Sequence, residues 1–181
     1  MNLLSLSQQA IQAALAAGAH IWDSLHREIT VSQKQGGTSY AAQVVTEVDR
    51  ACEEIILTYL QPTCEEFGLA LLTEETEDDK SRFQKDFFWC VDPMDGTLAF
   101  VNKRPGYSVS IALVSKEGTP HIGVVYDPST DTLYHAIKGL GAFKNGNPWE
   151  AQFPNRHLTY VTDRALAQTP RKAEINAHFE Q

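Results

Sequence analysis

The spacing of hydrophobic positions changes character along this chain. Over residues 5 to 28, Ile11, Leu15, Gly18, Trp22 and Leu25 recur every three or four positions, which predicts an amphipathic helix. Gln8, Gln12 and Asp23 fall off that stripe. Residues 32 to 43 are polar and carry Gly36-Gly37, so they read as a loop. A second helix is predicted over residues 46 to 60, with Val48, Cys52, Ile55, Ile56 and Tyr59 as its apolar face and Gln61-Pro62 as its end. Leu69 to Leu72 then make a short strand, with Glu74-Glu75 at its end. Phe87 to Val91 is a bulky apolar run stopped by a turn signal, the pattern of a buried strand.

From residue 106 the period becomes two. Tyr107, Val109, Ile111 and Leu113 alternate with Ser108, Ser110 and Ala112. Turns at Lys116-Glu117-Gly118 and Asp127-Pro128 separate further strands, and Asn145-Gly146 is a strong hairpin signal. The predicted fold class is therefore α+β: over residues 1 to 150, two helices pack on a largely antiparallel sheet. Residues 151 to 181 read as a connection, a strand at 157 to 163 and a helix from 169 to 180, the start of an α/β unit that is not completed.

Composition supports a packed core: 43% of the 181 residues are hydrophobic and 21% charged. A net charge of −8 argues against a nucleic acid polymer as partner. It leaves room for a small anionic substrate, because bound divalent cations reverse the local sign. The three cysteines, Cys52, Cys64 and Cys90, show no metal or disulfide spacing and read as reduced thiols. No basic signal start and no apolar run of ~18 residues is present. The expectation is a cytoplasmic chain with no membrane contact.

Candidate chemistry gathers where the Phe87 run ends. Asp92 and Asp95 flank a turn forced by Pro93 and Gly96, and Thr97 follows. Two neighbouring carboxylates repel unless a proton or cation lies between them. Mg²⁺ takes oxygen ligands, and the Met94 carbonyl adds one to the two carboxylates. Amides of Gly96 and Thr97 opening a helix would face an anion. An Asp-Pro turn with Asp95 capping the next helix explains the same residues without chemistry. Thr46-x-x-Asp49 fits a capping box, which accounts for Asp49 structurally; the alternative is that Asp49 accepts a hydrogen bond from a catalytic hydroxyl. Five acidic residues between 74 and 79 read either as a solvated loop or, through Glu74, as a third carboxylate beside Asp92.

The run Asp92-Pro93-Met94-Asp95-Gly96-Thr97 resembles the D-P-x-D-G-T signature of the inositol monophosphatase superfamily. That superfamily includes inositol monophosphatases, fructose-1,6-bisphosphatases and 3′(2′),5′-bisphosphate nucleotidases. Val45-Thr46-Glu47-Val48-Asp49 resembles its V-T-x-x-D, and Leu72-Thr73-Glu74-Glu75 its G/S-E-E at a strand end. Gly123-Val124-Val125-Tyr126 and the Gly139 to Gly146 stretch are similar to its β-meander, so the likeness covers residues 40 to 150.

The resemblance implies a layered α/β sugar-phosphatase fold and Mg²⁺-dependent hydrolysis of a small phosphate monoester. It implies roughly two or three Mg²⁺ ions per complete site. Carried over by position, Glu74, Asp92, Asp95 and the Met94 carbonyl hold the metals. Thr97, bonded to Asp49, helps activate the attacking water, and Glu74 counts with them as catalytic. Asp95, Gly96 and Thr97 contact the substrate phosphate. Inositol monophosphate and 3′-phosphoadenosine 5′-phosphate are the substrate classes, with LLTEETEDD and the turn variant leaning towards the second.

The sequence also departs from the pattern. The family continues into a second α/β half that adds a metal-binding Asp in a W-D-x-A-A-like motif. Here Trp22-Asp23 lies in the first predicted helix, and neither Trp89 nor Trp149 precedes an Asp. The expectation is a chain that carries the N-terminal half and lacks the C-terminal one. Three forms meet it: a truncated gene product, a fragment, or a form that completes its site as a homo-oligomer. The alternative to a working hydrolase is a non-catalytic remnant that keeps the fold half and binds divalent metal. Thr73 replaces the common Gly or Ser, and Leu98-Ala99 the usual pair before Phe100.

Overall fold

The computed structural model describes residues 1–27, 29–33 and 44–150. The chain divides into two units, Met1–Trp149 and Glu150–Gln181, and the first of them holds every element named below. Residues 34 to 43 of the predicted loop and the expectations for residues 151 to 181 lie outside the described residues.

Helix α1 runs Leu3–Ser24, opened by the Asn2 side chain, which accepts from the Leu4 and Ser5 amides. Its buried face is Leu6, Ala10, Ala13, Ala14, Ala17 and Ile21, while Trp22 is 50% exposed. The predicted stripe borders this face: Gly18 is buried, Ile11, Leu15 and Leu25 pack half-buried against the core, and Trp22 is corrected to an exposed position. At Gly18 an added Cβ would run into the Tyr126 ring. A short antiparallel pair, β1 (Val31–Gln33) with β2 (Val44–Thr46), leads into the second helix.

Helix α2 runs Glu47–Phe67 and does not stop at Gln61-Pro62 as the sequence predicts. Pro62 removes one backbone donor at a usual cost of ~3 kcal/mol. Tertiary contacts offset that cost. Leu60 is fully buried, and the Trp89 indole donates to Thr63 Oγ1 at 2.9 Å. The helix ends instead at Gly68, whose left-handed backbone (φ +66°) forms the C-cap.

Seven strands follow: β3 (Ala70–Thr73), β4 (Phe87–Asp95), β5 (Ser108–Ser115), β6 (Pro120–Asp127), β7 (Thr132–Ile137), β8 (Gly141–Lys144) and β9 (Asn147–Pro148). They form one sheet in sequence order, with β3 and β4 parallel and every other neighbour antiparallel. Helices α1 and α2 pack on the face that carries Trp89, Val91, Val109, Ile111, Leu113, Ile122 and Val124. The expectation of two helices on a largely antiparallel sheet holds. One boundary shifts: β4 continues through Pro93 to Asp95, because a register irregularity between Asp92 and Asp95 lets the strand bend and go on pairing with β5.

Candidate metal and phosphate site

Parallel pairing sets the site's first contact. Leu72 lies beside Cys90 and Thr73 beside Val91, so the next residues, Glu74 and Asp92, emerge together at one end of the two strands. Their carboxyl groups lie close enough to act on each other directly. Burial, then the charges of Glu74 and Asp95, push the Asp92 carboxyl up to about 8. A carboxyl held that far above its usual range marks a place where negative charge is crowded and short of a counter-charge.

Asp92 is also tied locally. Its Oδ1 accepts from the Met94 amide at 3.1 Å, which folds the bulge. The Met94 side chain is buried, and its carbonyl accepts from Thr97 Oγ1 at 3.2 Å. Asp95 is exposed and pairs in register with Ser108. Gly96 then turns the chain at φ +89°, where a Cβ would collide with the Gly106 carbonyl. A one-turn helix, α3 (Thr97–Val101), follows, with the Ala99 and Phe100 amides bonded back to the Gly96 carbonyl. So short a helix carries little dipole, and cations must supply most of any charge opposing a phosphate here.

The first turn of α2 completes the arrangement. Asp49 Oδ2 accepts from the Thr46 amide at 2.7 Å and the Thr46 hydroxyl at 2.6 Å, closing the capping box. Asp49 Oδ1 accepts from Thr97 Oγ1 at 2.8 Å. Asp49 thus caps the helix with one oxygen and accepts from the Thr97 hydroxyl with the other.

The acidic run after β3 divides in two. Lys80 and Arg82 hold Asp78 down to about 2, through hydrogen bonds led by Lys80, and Asp79 accepts from the Ser81 amide. Those two residues shape the turn, whereas Glu74 faces Asp92. Sequence reasoning missed Glu53. It lies one turn along α2 from Asp49, is buried, and accepts from the Glu75 amide at 2.9 Å and the Thr76 hydroxyl at 2.5 Å. The available signal was an acidic pair at i and i+4 inside the apolar stripe.

The donor set of Glu74, Asp92, Asp95 and the Met94 carbonyl is all hard oxygen, which fits Mg²⁺ or Ca²⁺. The raised Asp92 carboxyl fits the same ions, since a cation would take the place of the proton held there. Among the described residues, no three acidic, His or Cys side chains close into a ready-made cage. A cavity of about 400 Å³ beside Trp22, Tyr126 and Asp131 is lined by other residues.

Comparison with protein families matches residues 2–178 to the inositol monophosphatase family. The chain is 35% identical over 129 residues to an inositol-1-monophosphatase of Bacillus subtilis, covering 71% of this chain and 46% of that protein. The extragenic suppressor protein suhB of Bartonella henselae superposes with TM-score 0.71 and 31% identity, over 85% of this chain and 57% of that one. An IMPase/NADP phosphatase solved with NADP and Ca²⁺ gives TM-score 0.72 at 26% identity, over 87% and 57% of the respective chains. The chain spans about half the length of the curated relatives it matches.

Proposed function

Since this chain belongs to the inositol monophosphatase family, we propose that it serves the Mg²⁺-dependent hydrolysis of a small phosphate monoester. The observation that carries this reading is the crowding of Glu74 and Asp92 at the adjoining ends of two parallel strands. Glu74, Asp92, Asp95 and the Met94 carbonyl would hold the cation. Bound there, it would lower the pKa of a coordinated water and neutralise charge on the phosphate oxygens.

The chain's own residues then do the positioning. Thr97 Oγ1 has one hydrogen, and the Asp49 carboxylate is its nearer, charged acceptor. The threonine lone pairs are left to take a hydrogen bond from a water molecule. As that water gives up a proton towards Thr97 Oγ1, the threonine hydrogen moves towards Asp49 Oδ1. Asp95 and the Gly96-Thr97 backbone contact the phosphate. The buried anchoring of Asp49 keeps this relay in one geometry, so little rearrangement is needed as charge develops.

Inositol monophosphate is the substrate class we favour, on the names of the relatives, although the acidic stretch after β3 leans towards a nucleotide phosphate. The three free thiols suit a cytoplasmic setting. The test offers inositol 1-phosphate and 3′-phosphoadenosine 5′-phosphate side by side with Mg²⁺. Faster release of phosphate from the first supports the substrate reading; faster release from the second overturns it. A folded chain that releases none supports the non-catalytic reading instead.

A further inference from the structure

Glu53 has no part in the relay through Thr97 and Asp49, yet its burial needs a reason. It is 5% exposed on a face of α2 that also buries Cys52 and Ile56. A buried carboxylate is costly unless its oxygens are satisfied. Both are: Oε2 by the Glu75 amide, Oε1 by the Thr76 hydroxyl. Neither bond belongs to the helix or to the sheet. Both donors come from the two residues that follow Glu74. The chain at Glu74 is thus fixed on both sides, by the Thr73–Val91 pairing before it and by Glu53 after it. Asp49, one turn earlier on the same helix, fixes Thr97 in the same manner.

We infer that Glu53 is a positioning residue for Glu74: it clamps the turn after β3 so that the Glu74 carboxylate is held beside Asp92, and it thereby sets the affinity of the site for a divalent cation. The inference rests on the reading of Glu74 and Asp92 as metal ligands. Glu53 acts through the chain beside Glu74, because its two oxygens accept from the Glu75 amide and the Thr76 hydroxyl. Gln at this position keeps one acceptor and loses the other. Thr76→Val leaves Glu53 in place and removes one of its two donors from an exposed position.

The test is calorimetric titration of the full chain with Mg²⁺, for the unsubstituted protein, Glu53→Gln, Thr76→Val and the exposed neighbour Glu54→Gln, with urea midpoints measured alongside. Loss of such an outer contact weakens metal binding by about tenfold or more. The expected result is that loss in Glu53→Gln, a smaller one in Thr76→Val, and none in Glu54→Gln. A purely structural Glu53 would lower the urea midpoint and leave the affinity of the folded protein unchanged, which would overturn the inference alone. If Glu53→Gln does not fold, Thr76→Val decides: unchanged affinity overturns the inference. If the unsubstituted chain binds no Mg²⁺, the metal reading fails and the inference with it.

Discussion

Thr97 and Asp49, 48 residues apart, are joined by a 2.8 Å hydrogen bond from the threonine hydroxyl to Asp49 Oδ1. The bond ties the turn after β4 to the first turn of α2. Asp49's other oxygen is spent on the helix cap. One side chain thus links the start of a helix to the residue assigned to water activation.

Because both Asp49 oxygens act as acceptors, Asp49→Asn must turn its amide towards a donor. Leaving one buried donor unsatisfied costs about 1–3 kcal/mol. Urea unfolding should show a loss of that size. A loss near zero would mean the cap and the Thr97 bond are dispensable.

Thr97→Ala should reduce hydrolysis by about 10²-fold, the usual contribution of a positioned proton acceptor. Cation affinity should be unchanged, and Thr97→Ser should retain most of the rate. Phosphate-release kinetics beside a Mg²⁺ titration separate these outcomes. Equal rates for Ala and Ser would remove Thr97 from the relay.

Gly96→Ala should destabilise by about 1–3 kcal/mol through its left-handed backbone. The Cβ collision with the Gly106 carbonyl acts in the same direction. Thermal unfolding measures this directly, and an unchanged midpoint would contradict the close approach.

The pH dependence follows from Asp92. Its folded pKa is raised to about 8 by burial first and by neighbouring charge second. An unfolded Asp titrates near ~3.9, so the folded chain binds the proton more tightly. The stabilisation from this proton is fully present below the unfolded pKa and is lost as pH rises through the folded one. In EDTA, the stability difference between the unsubstituted chain and Asp92→Asn should therefore decline from pH 5 towards pH 9. A difference that grows over this range would contradict the crowded-carboxylate arrangement.

Much of the fold was legible in the sequence where one physical signal dominated. The alternation of Val109, Ile111 and Leu113 pointed to the meander, since each of these side chains is buried. The centre of the buried face of α1 was not legible, although Ile11, Leu15, Gly18 and Leu25 of the predicted stripe do meet the core. Trp22 is a far larger apolar side chain than an alanine, yet it is 50% exposed while Ala10, Ala13, Ala14 and Ala17 are fully buried. Pro62 misled for a related reason: its cost is local, and what offsets it comes from Trp89 on a distant strand. At the site, spacing left structural readings of Asp49, Glu74 and Asp92 open and the family resemblance singled them out with Thr97; the fold brings them to neighbouring ends of α2, β3 and β4. Glu53 was not found, because an acidic residue on a helix is usually solvated and only its partners after β3 reveal otherwise.

Whether the carboxylates around Asp92 work as a metal-dependent phosphatase site is decided by phosphate release from inositol 1-phosphate, with and without Mg²⁺, by the 181-residue chain and by its Asp95→Asn variant. The expected result is release that requires Mg²⁺ and disappears in the variant, with the fold retained by circular dichroism. Unchanged release in Asp95→Asn, or release that is indifferent to Mg²⁺, would contradict the metal assignment.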